Sequence, residues 1–284
     1  MILLTGDLGF IGQHIVTAFE KTYAFVGYDL SDGQDIRNKF QLAKVFESDH
    51  ITTIVHLAAE PGSRVGEKYP YDFITTNILG TKHLLDLAEE YKVEHFIFFS
   101  SSSIFGNVAS PLDEQAERKP VSLYGTTKLA AEILCENANI PVTVIRPFSV
   151  YGENGRGDQI IGIWTDQIKR GLPITFFGDG TSKRGYVYVK DLVAGLMLIL
   201  NRGPNINFEV FNLGGHEIIS LNQFLEIFRS IRPDLKIKYL PLPQADAYEN
   251  WATIDKARTI LGWSPQADFK KTATRIILEE LKKR

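Results

Sequence analysis

A single cysteine, Cys135, among 284 residues leaves nothing from which to build a disulfide framework and fits a reducing compartment. No block of Lys or Arg stands out, and the formal net charge is -3. Nucleic acid therefore finds no electrostatic footprint. Long apolar runs are missing too. The longest in the C-terminal half, Leu192 to Leu200, is broken by Gly195 and is too short to span a bilayer. Met1-Ile2-Leu3-Leu4 runs straight into Thr5-Gly6, so no secretory segment is expected. Neither internal repeats nor low-complexity stretches are visible. What remains, 44% hydrophobic and 23% charged, suits a cytoplasmic, water-soluble protein with a sizeable core in one large or two modest domains.

Met1 to Leu4 reads as a short buried strand, followed at once by Gly6-x-x-Gly9-x-x-Gly12. Phe10, Ile11, Ile15, Val16 and Phe19 then repeat at helical spacing. Strand, glycine turn and helix together make a phosphate cradle, because glycines let backbone N–H groups approach a pyrophosphate at a helix N-terminus. Tyr23 to Tyr28 predicts a second strand ending at Asp29. An acid at that distance binds the adenosine ribose hydroxyls and repels a 2′-phosphate, which favours NAD over NADP. A plain turn before Ser31-Asp32-Gly33 is the other reading of Asp29. Asp35-Ile36-Arg37 opens a helix with Leu42, Val45 and Phe46 on its apolar face. Thr52 to Leu57 is the next strand, and the small residues of His56-Leu57-Ala58-Ala59 let a flat cofactor lie against its end. A helix is predicted from Asn77 through Leu84, Leu85, Leu87 and Ala88, and a fourth strand from His95 to Ser100. Ser100-Ser101-Ser102-Ser103 then lies at the end of an open parallel sheet where ligands sit, although four serines also suit a solvated loop.

Tyr124 and Lys128 are four residues apart, on one face of a predicted helix and roughly 6 Å apart at Cβ. A nearby ammonium group favours the phenolate, and such a tyrosine can accept a proton from a sugar or alcohol hydroxyl. Taken alone, the pair is equally an amphipathic helix with a snorkelling lysine.

The order of features carries more than any one of them. Gly-x-x-Gly-x-x-Gly, the acid after the second strand, His-x-Ala-Ala, Asn77-x-x-Gly80-Thr81, the serine-rich strand end before Phe105-Gly106, and Tyr-x-x-x-Lys follow one another along the chain. That succession resembles the extended short-chain dehydrogenase/reductase family, in its NAD-dependent nucleotide-sugar epimerase/dehydratase branch. Arg146-Pro147-Phe148-Ser149-Val150-Tyr151-Gly152, Arg184-Gly185-Tyr186, Phe211-Asn212-Leu213-Gly214 and Leu261-Gly262-Trp263 look like further landmarks. The resemblance covers nearly the whole chain and is closest in motif to UDP-glucose and UDP-glucuronate 4-epimerases.

The resemblance implies an α/β fold: a doubly wound parallel sheet with a smaller C-terminal substrate domain. Residues 1–148 with 184–213 would bind NAD, and 149–183 with 214–284 the nucleotide sugar. Tyr124 would be the acid/base, Lys128 would hold the ribose and tune it, and Ser101 would bond the substrate hydroxyl. Cofactor contacts fall on Gly6, Gly9, Phe10, Ile11, Gly12, Asp29, Asp35, Ile36, Leu57, Ala58, Ala59, Asn77, Ser100, Tyr124, Lys128 and Pro147. Substrate contacts fall on Ser101, Ser102, Arg64, Ser149, Arg184 and Asp246, although Arg64 reads more readily as a surface-loop arginine. No metal is implied. Where the 4,6-dehydratases carry Asp and Glu, and the decarboxylases a Glu, this chain has Ser102 and Ser103, so elimination is disfavoured and 4-epimerisation through a transient 4-keto sugar remains. Two departures stand out. Gln244 replaces an expected diphosphate arginine, and the Asp29–Asp35 segment is short, as in the 4-keto-sugar reductases that consume NAD(P)H. A reductase is thus the alternative reading, with a non-catalytic dinucleotide sensor behind it. In this family the helices near Asn77 and Tyr124 pair across a homodimer, to which Ile78, Leu84, Leu85, Leu129, Ile133 and Leu134 would contribute, although burial in the subunit's own core accounts for them equally well.

Overall fold

Runs of Ile, Leu, Val and Phe without polar alternation mark strands covered on both faces, and the first half of the chain supplies them at intervals filled by amphipathic helices. In the computed structural model, which describes residues 1–64, 66, 68–243 and 247–283, these are β1 (Ile2–Thr5), α1 (Phe10–Phe19), β2 (Phe25–Tyr28), α2 (Lys39–Ser48), β3 (Thr53–His56), α3 (Pro70–Ile74), α4 (Thr81–Glu90), β4 (His95–Phe99), α5 (Leu123–Glu136) and β5 (Val142–Pro147). The chain continues through β6 (Ser149–Tyr151), α6 (Ile160–Lys169), β7 (Ile174–Phe177), β8 (Lys183–Tyr188), α7 (Val189–Arg202) and β9 (Phe208–Leu213). It closes with β10 (Ile218–Ser220), α8 (Leu221–Ile231), β11 (Ile237–Leu240), β12 (Glu249–Asn250), α9 (Asp255–Leu261) and α10 (Phe269–Lys282).

Six strands form one parallel sheet in the order β2-β1-β3-β4-β5-β9. The chain reverses direction of travel between β1 and β3, and ligands of open α/β sheets lie outside the strand ends at such a switch point. Both faces are covered. Leu42, Phe46, Leu84, Leu85, Ala131 and Cys135 from α2, α4 and α5 pack on one side. Ile15, Phe19, Leu192, Leu196 and Trp263 pack on the other. The doubly wound sheet expected from the sequence is present. β2 is its outermost strand, and beyond Asp29 only a single 3-10 turn, Leu30–Asp32, leads toward α2. The missing helix and strand read from the short Asp29–Asp35 segment are therefore absent from the fold.

A second core gathers Tyr151, Trp164, Phe176, Phe224, Phe228 and Phe269 beneath α6, α8 and α10. Beside it lie β8, flanked by β6, β10 and β12, and the separate parallel pair β7-β11. The return to the main sheet, expected from Arg184 onward, is made only by α7 and β9, because β8 pairs within the second sheet.

Two element boundaries differ from the expected ones, each for a local reason. The second helix is capped by Asn38, whose side chain accepts from the Gln41 amide at 3.0 Å. Asp35 does not open it, since its carboxylate is taken by the Arg37 amide and guanidinium. The helix around Asn77 begins earlier, with Pro70 in its first turn, and carries a π turn over Thr75–Gly80. Leu84 and Leu85, offered as dimer contacts, are buried in the subunit's own core. The large hydrophobic side chains left exposed on these helices include Tyr71, Ile74, Leu79 and Ile133.

Candidate active site

Ser122 caps α5 by accepting the Gly125 amide at 3.1 Å, which fixes Tyr124 in the first helical turn. Lys128 follows one turn later, almost wholly buried, with its ammonium 4.4 Å above the Phe98 ring of β4. Burial lowers the Lys128 pKa to about 7, against the opposing pull of Cys135 and Glu132. Burial also raises the Tyr124 phenol; the Ser101 hydroxyl and the Arg156 guanidinium act against that rise, and Asp158 adds to it. The expected role of Lys128 in tuning the phenol thus has a competitor in this state, since the cation acting on Tyr124 is Arg156.

Two cavities meet at this point. The first, of about 420 Å³, is lined by Gly6, Gly9, Phe10, Ile11, Gly12, Asp29, Asp35, Ile36, Leu57, Ala58, Ala59, Ser100, Ser101, Tyr124, Lys128 and Pro147. The second, of about 510 Å³, is lined by Arg64, Arg184, Tyr186, Trp164, Phe177 and Leu242. Ser102, Ser103, Ser149 and Arg156 belong to the walls of both. Each volume lies within the range of small-molecule sites.

The glycine turn fits a dinucleotide. At Gly6 the backbone has φ +76, and a Cβ would lie 2.7 Å from the Ala58 amide nitrogen, so only glycine lets the turn close on the end of β3. Asp29 accepts from the Leu8 amide at 3.2 Å and from the Ser31 amide at 2.8 Å. Its turn-forming reading and its place on the cavity wall are therefore both realised.

Asn77 does not line either cavity. It is buried behind the first, where Oδ1 accepts the Glu60 amide at 2.7 Å and Nδ2 donates to Glu60 O and to Thr127 Oγ1. Thr127 in turn donates to Tyr124 O at 2.9 Å, so Asn77 joins the loop after β3 to the first turn of α5. A parallel chain runs through His56. Thr81 Oγ1 donates to Asn77 O at 2.7 Å, so it accepts from His56 Nε2 at 2.9 Å. His56 Nδ1 then accepts from Thr5 Oγ1 at 2.7 Å, and Thr5 accepts from the Ala58 amide. Burial holds His56 neutral, with its pKa well below the usual value, which this donor–acceptor order requires.

Arg184 reaches the second cavity but donates to the backbone carbonyls of Lys183, Ala247 and Tyr248. Arg64 lies 4.4 Å over the Phe177 ring, linking the loop after β3 to β7 and not projecting freely from a surface loop. Asp246 and Gln244 lie outside the described residues.

Sequence reasoning passed over two groups. Arg156, held by bidentate hydrogen bonds to Asp158 at 2.8 and 2.9 Å, stands where the two cavities meet. Glu132, fully buried one turn beyond Lys128, accepts from Ser100 Oγ at 2.7 Å, Arg118 at 3.2 Å and the buried Arg146. Their signals were an acid two residues after an arginine, and a Glu at helical spacing from Lys128 ahead of an Arg-Pro strand end.

The comparisons with known proteins agree with this geometry. A model of the NAD dependent epimerase/dehydratase family matches residues 2–214. A UDP-glucuronate 4-epimerase of Thermodesulfobacterium geofontis is 34% identical over 97% of this chain and 94% of its own. Among solved structures, a UDP-glucuronic acid 4-epimerase from Bacillus cereus, in complex with UDP-glucuronic acid and NAD, superposes with a TM-score of 0.91 at 32% identity, over 98% of this chain and 99% of that one. A UDP-glucose 4-epimerase from Thermotoga maritima, solved with UDP-glucose, gives 0.90 at 29% identity, over 98% and 97%. With its glycine turn, its serine-rich strand end and Tyr124-x-x-x-Lys128 gathered on one cavity, the chain belongs to the NAD dependent epimerase/dehydratase family.

Proposed function

We propose that this chain is an NAD-dependent nucleotide-sugar 4-epimerase acting on a UDP-hexose or UDP-hexuronate. The observation that carries the reading is that the cavity holding Tyr124, Ser101 and Lys128 shares the wall of Ser102, Ser103, Ser149 and Arg156 with the second cavity. NAD, when bound, accepts a hydride from the sugar C4 and returns it. The first cavity's residues hold it: the glycine turn at the pyrophosphate, Asp29 at the adenosine ribose, and Lys128 at the nicotinamide ribose. Tyr124, through its phenolic oxygen, takes the proton from the sugar C4 hydroxyl and later returns it. Ser101 orients that hydroxyl. Ser102 and Ser103 offer no carboxylate to pull a proton from C5, so elimination is not supported. Arg184 and Arg156 supply cations to the diphosphate or sugar end.

On this reading the β2-to-β5 sheet with β9 is the dinucleotide domain, and the elements around β8 with the second core form the substrate domain. The protein works in the cytoplasm as a homodimer. Supporting the dimer are Ile74, Leu79 and Ile133, each more than two-fifths exposed on α3, the following π turn and α5; a monomer in sedimentation at micromolar concentration would sink it.

The truncated sheet edge favours a second reading, a reductase that consumes NADH on a 4-keto sugar. Incubating the purified protein with UDP-glucuronate and UDP-glucose, without added nicotinamide, and following the products by proton NMR separates the two. Interconversion of C4 epimers is expected. No epimer with either sugar, together with stoichiometric NADH loss on a 4-keto nucleotide sugar, would replace the epimerase with the reductase.

A further inference from the structure

The glycine turn contains a residue that phosphate binding does not call for. Asp7 follows Gly6 directly, and its carboxyl lies flat against Gly27 of the edge strand β2. A Cβ at Gly27 would sit 2.7 Å from Asp7 Cγ, so β2 is stripped to glycine where this side chain packs. Asp7 Oδ1 is shielded from solvent and has no hydrogen-bond partner in the protein. Buried oxygens are normally paired, so keeping one unpaired here is costly and asks for a reason.

Its neighbours suggest one. The next residue's amide, Leu8 N–H, donates to Asp29 Oδ2 at 3.2 Å, which brings the Asp7 and Asp29 carboxylates to the same corner. Burial raises the Asp7 pKa, the charges of Asp29 and Asp32 add to that rise, and the backbone amides of Asp7 and Tyr28 act against it, as expected of carboxylates within each other's field. The cation that follows in sequence is committed elsewhere: Arg37 donates to Asp35 at 2.7 to 3.0 Å and pairs with Asp72 at 3.5 Å. Asp29 stands on the cavity wall, whereas Asp7 sits off it and acts through its field alone.

We propose that Asp7 is a second cofactor-selectivity residue, whose carboxylate joins that of Asp29 in excluding a dinucleotide phosphorylated on the adenosine 2′-hydroxyl. The inference rests on the reading that the first cavity holds NAD with its adenosine ribose at Asp29. A doubly charged phosphate placed there meets two fixed negative charges in a partly desolvated corner, whereas a ribose hydroxyl meets an acceptor and loses little. Each carboxylate is worth about tenfold in the ratio of NAD to NADP affinity at low salt, and added salt reduces that share by screening.

Displacement of fluorescent bound NADH by NAD⁺ and by NADP⁺ tests this on the whole protein. Asp7→Asn keeps the shape and removes the charge; Asp7→Gly removes the side chain at a position where a glycine turn accepts glycine. Both are expected to bring the NADP-to-NAD ratio of dissociation constants down about tenfold with NAD affinity held within about threefold. The effect should shrink in about 0.5 M salt and compound with Asp29→Asn. An unchanged ratio in both Asp7 variants, or equal loss of the two cofactors in both, would overturn the proposal. A wild-type protein that bound neither dinucleotide would instead overturn the cofactor reading on which it stands.

Discussion

Tyr124 lies in the first turn of its helix, in a corner dry enough to raise its pKa, with the Ser101 hydroxyl and the Arg156 guanidinium favouring the anion. A phenol so placed is a poor base until positive charge arrives, which on the proposed reading would couple its proton transfer to an occupied cofactor cavity. Tyr124→Phe keeps the ring, which meets Phe73 edge-on, and removes only the oxygen. Turnover should fall about 10²–10⁴-fold while NAD is still released on denaturing the purified protein; turnover at the wild-type rate would take Tyr124 out of the chemistry. That Tyr124, Lys128 and Ser101 would line one cavity was legible in the sequence, because a strand end and a helix start place them. Arg156 was not, since its one local mark, an acid two residues later, does not place it at a cavity. Its position at the junction of two cavities is set by contacts distant in sequence.

At the scale of elements, α5 holds more than its catalytic first turn. Glu132 on its buried face ties Ser100 at the end of β4 to Arg146 at the end of β5. Two neighbouring strand ends are thereby locked to the helix that carries Lys128. Removing one member leaves a buried charge without its partner. Glu132→Ala is therefore expected to cost about 3–5 kcal/mol, read from urea unfolding; a loss under about 1 kcal/mol, the worth of an exposed pair, would mean that Arg146 finds water. The strands were readable from hydrophobic runs and the doubly wound parallel sheet from the order of motifs, whereas the strand order is given only by the structure. The π turn at Thr75–Gly80 was not, because its sequence, Thr-Thr-Asn-Ile-Leu-Gly, has ordinary helical periodicity. What it achieves, turning Asn77 toward Glu60 and Thr127, is visible only when the loop after β3 and α5 are both in place.

Across the whole molecule, the two cores are fastened at Glu153. Its carboxylate accepts from Tyr188 at 2.8 Å and Arg275 at 2.6 Å and pairs with Lys190, and its backbone oxygen meets His14 Nε2 of α1 at 2.9 Å. Burial opposes ionisation, but its own backbone amide, Tyr188, Arg275 and Lys190 outweigh it and bring the pKa from 4.5 to about 2. A carboxylate with a depressed pKa stabilises the fold above its unfolded value, and the contribution is lost as pH falls. Glu153→Gln should therefore lower stability by about 1 kcal/mol at neutral pH, and the gap from wild type should close between about pH 4.5 and pH 2, as followed by thermal unfolding. A gap independent of pH would remove the charge from the explanation.

The sheet's early end at β2 has a consequence for traffic through the protein. One cavity is lined by Asp29 and by Leu30 of the short 3-10 turn, the other by Arg184 and Leu242. On the proposed reading, cofactor and sugar nucleotide then occupy separate chambers joined at Ser102, Ser103, Ser149 and Arg156, and one sugar can follow another while the dinucleotide keeps its place.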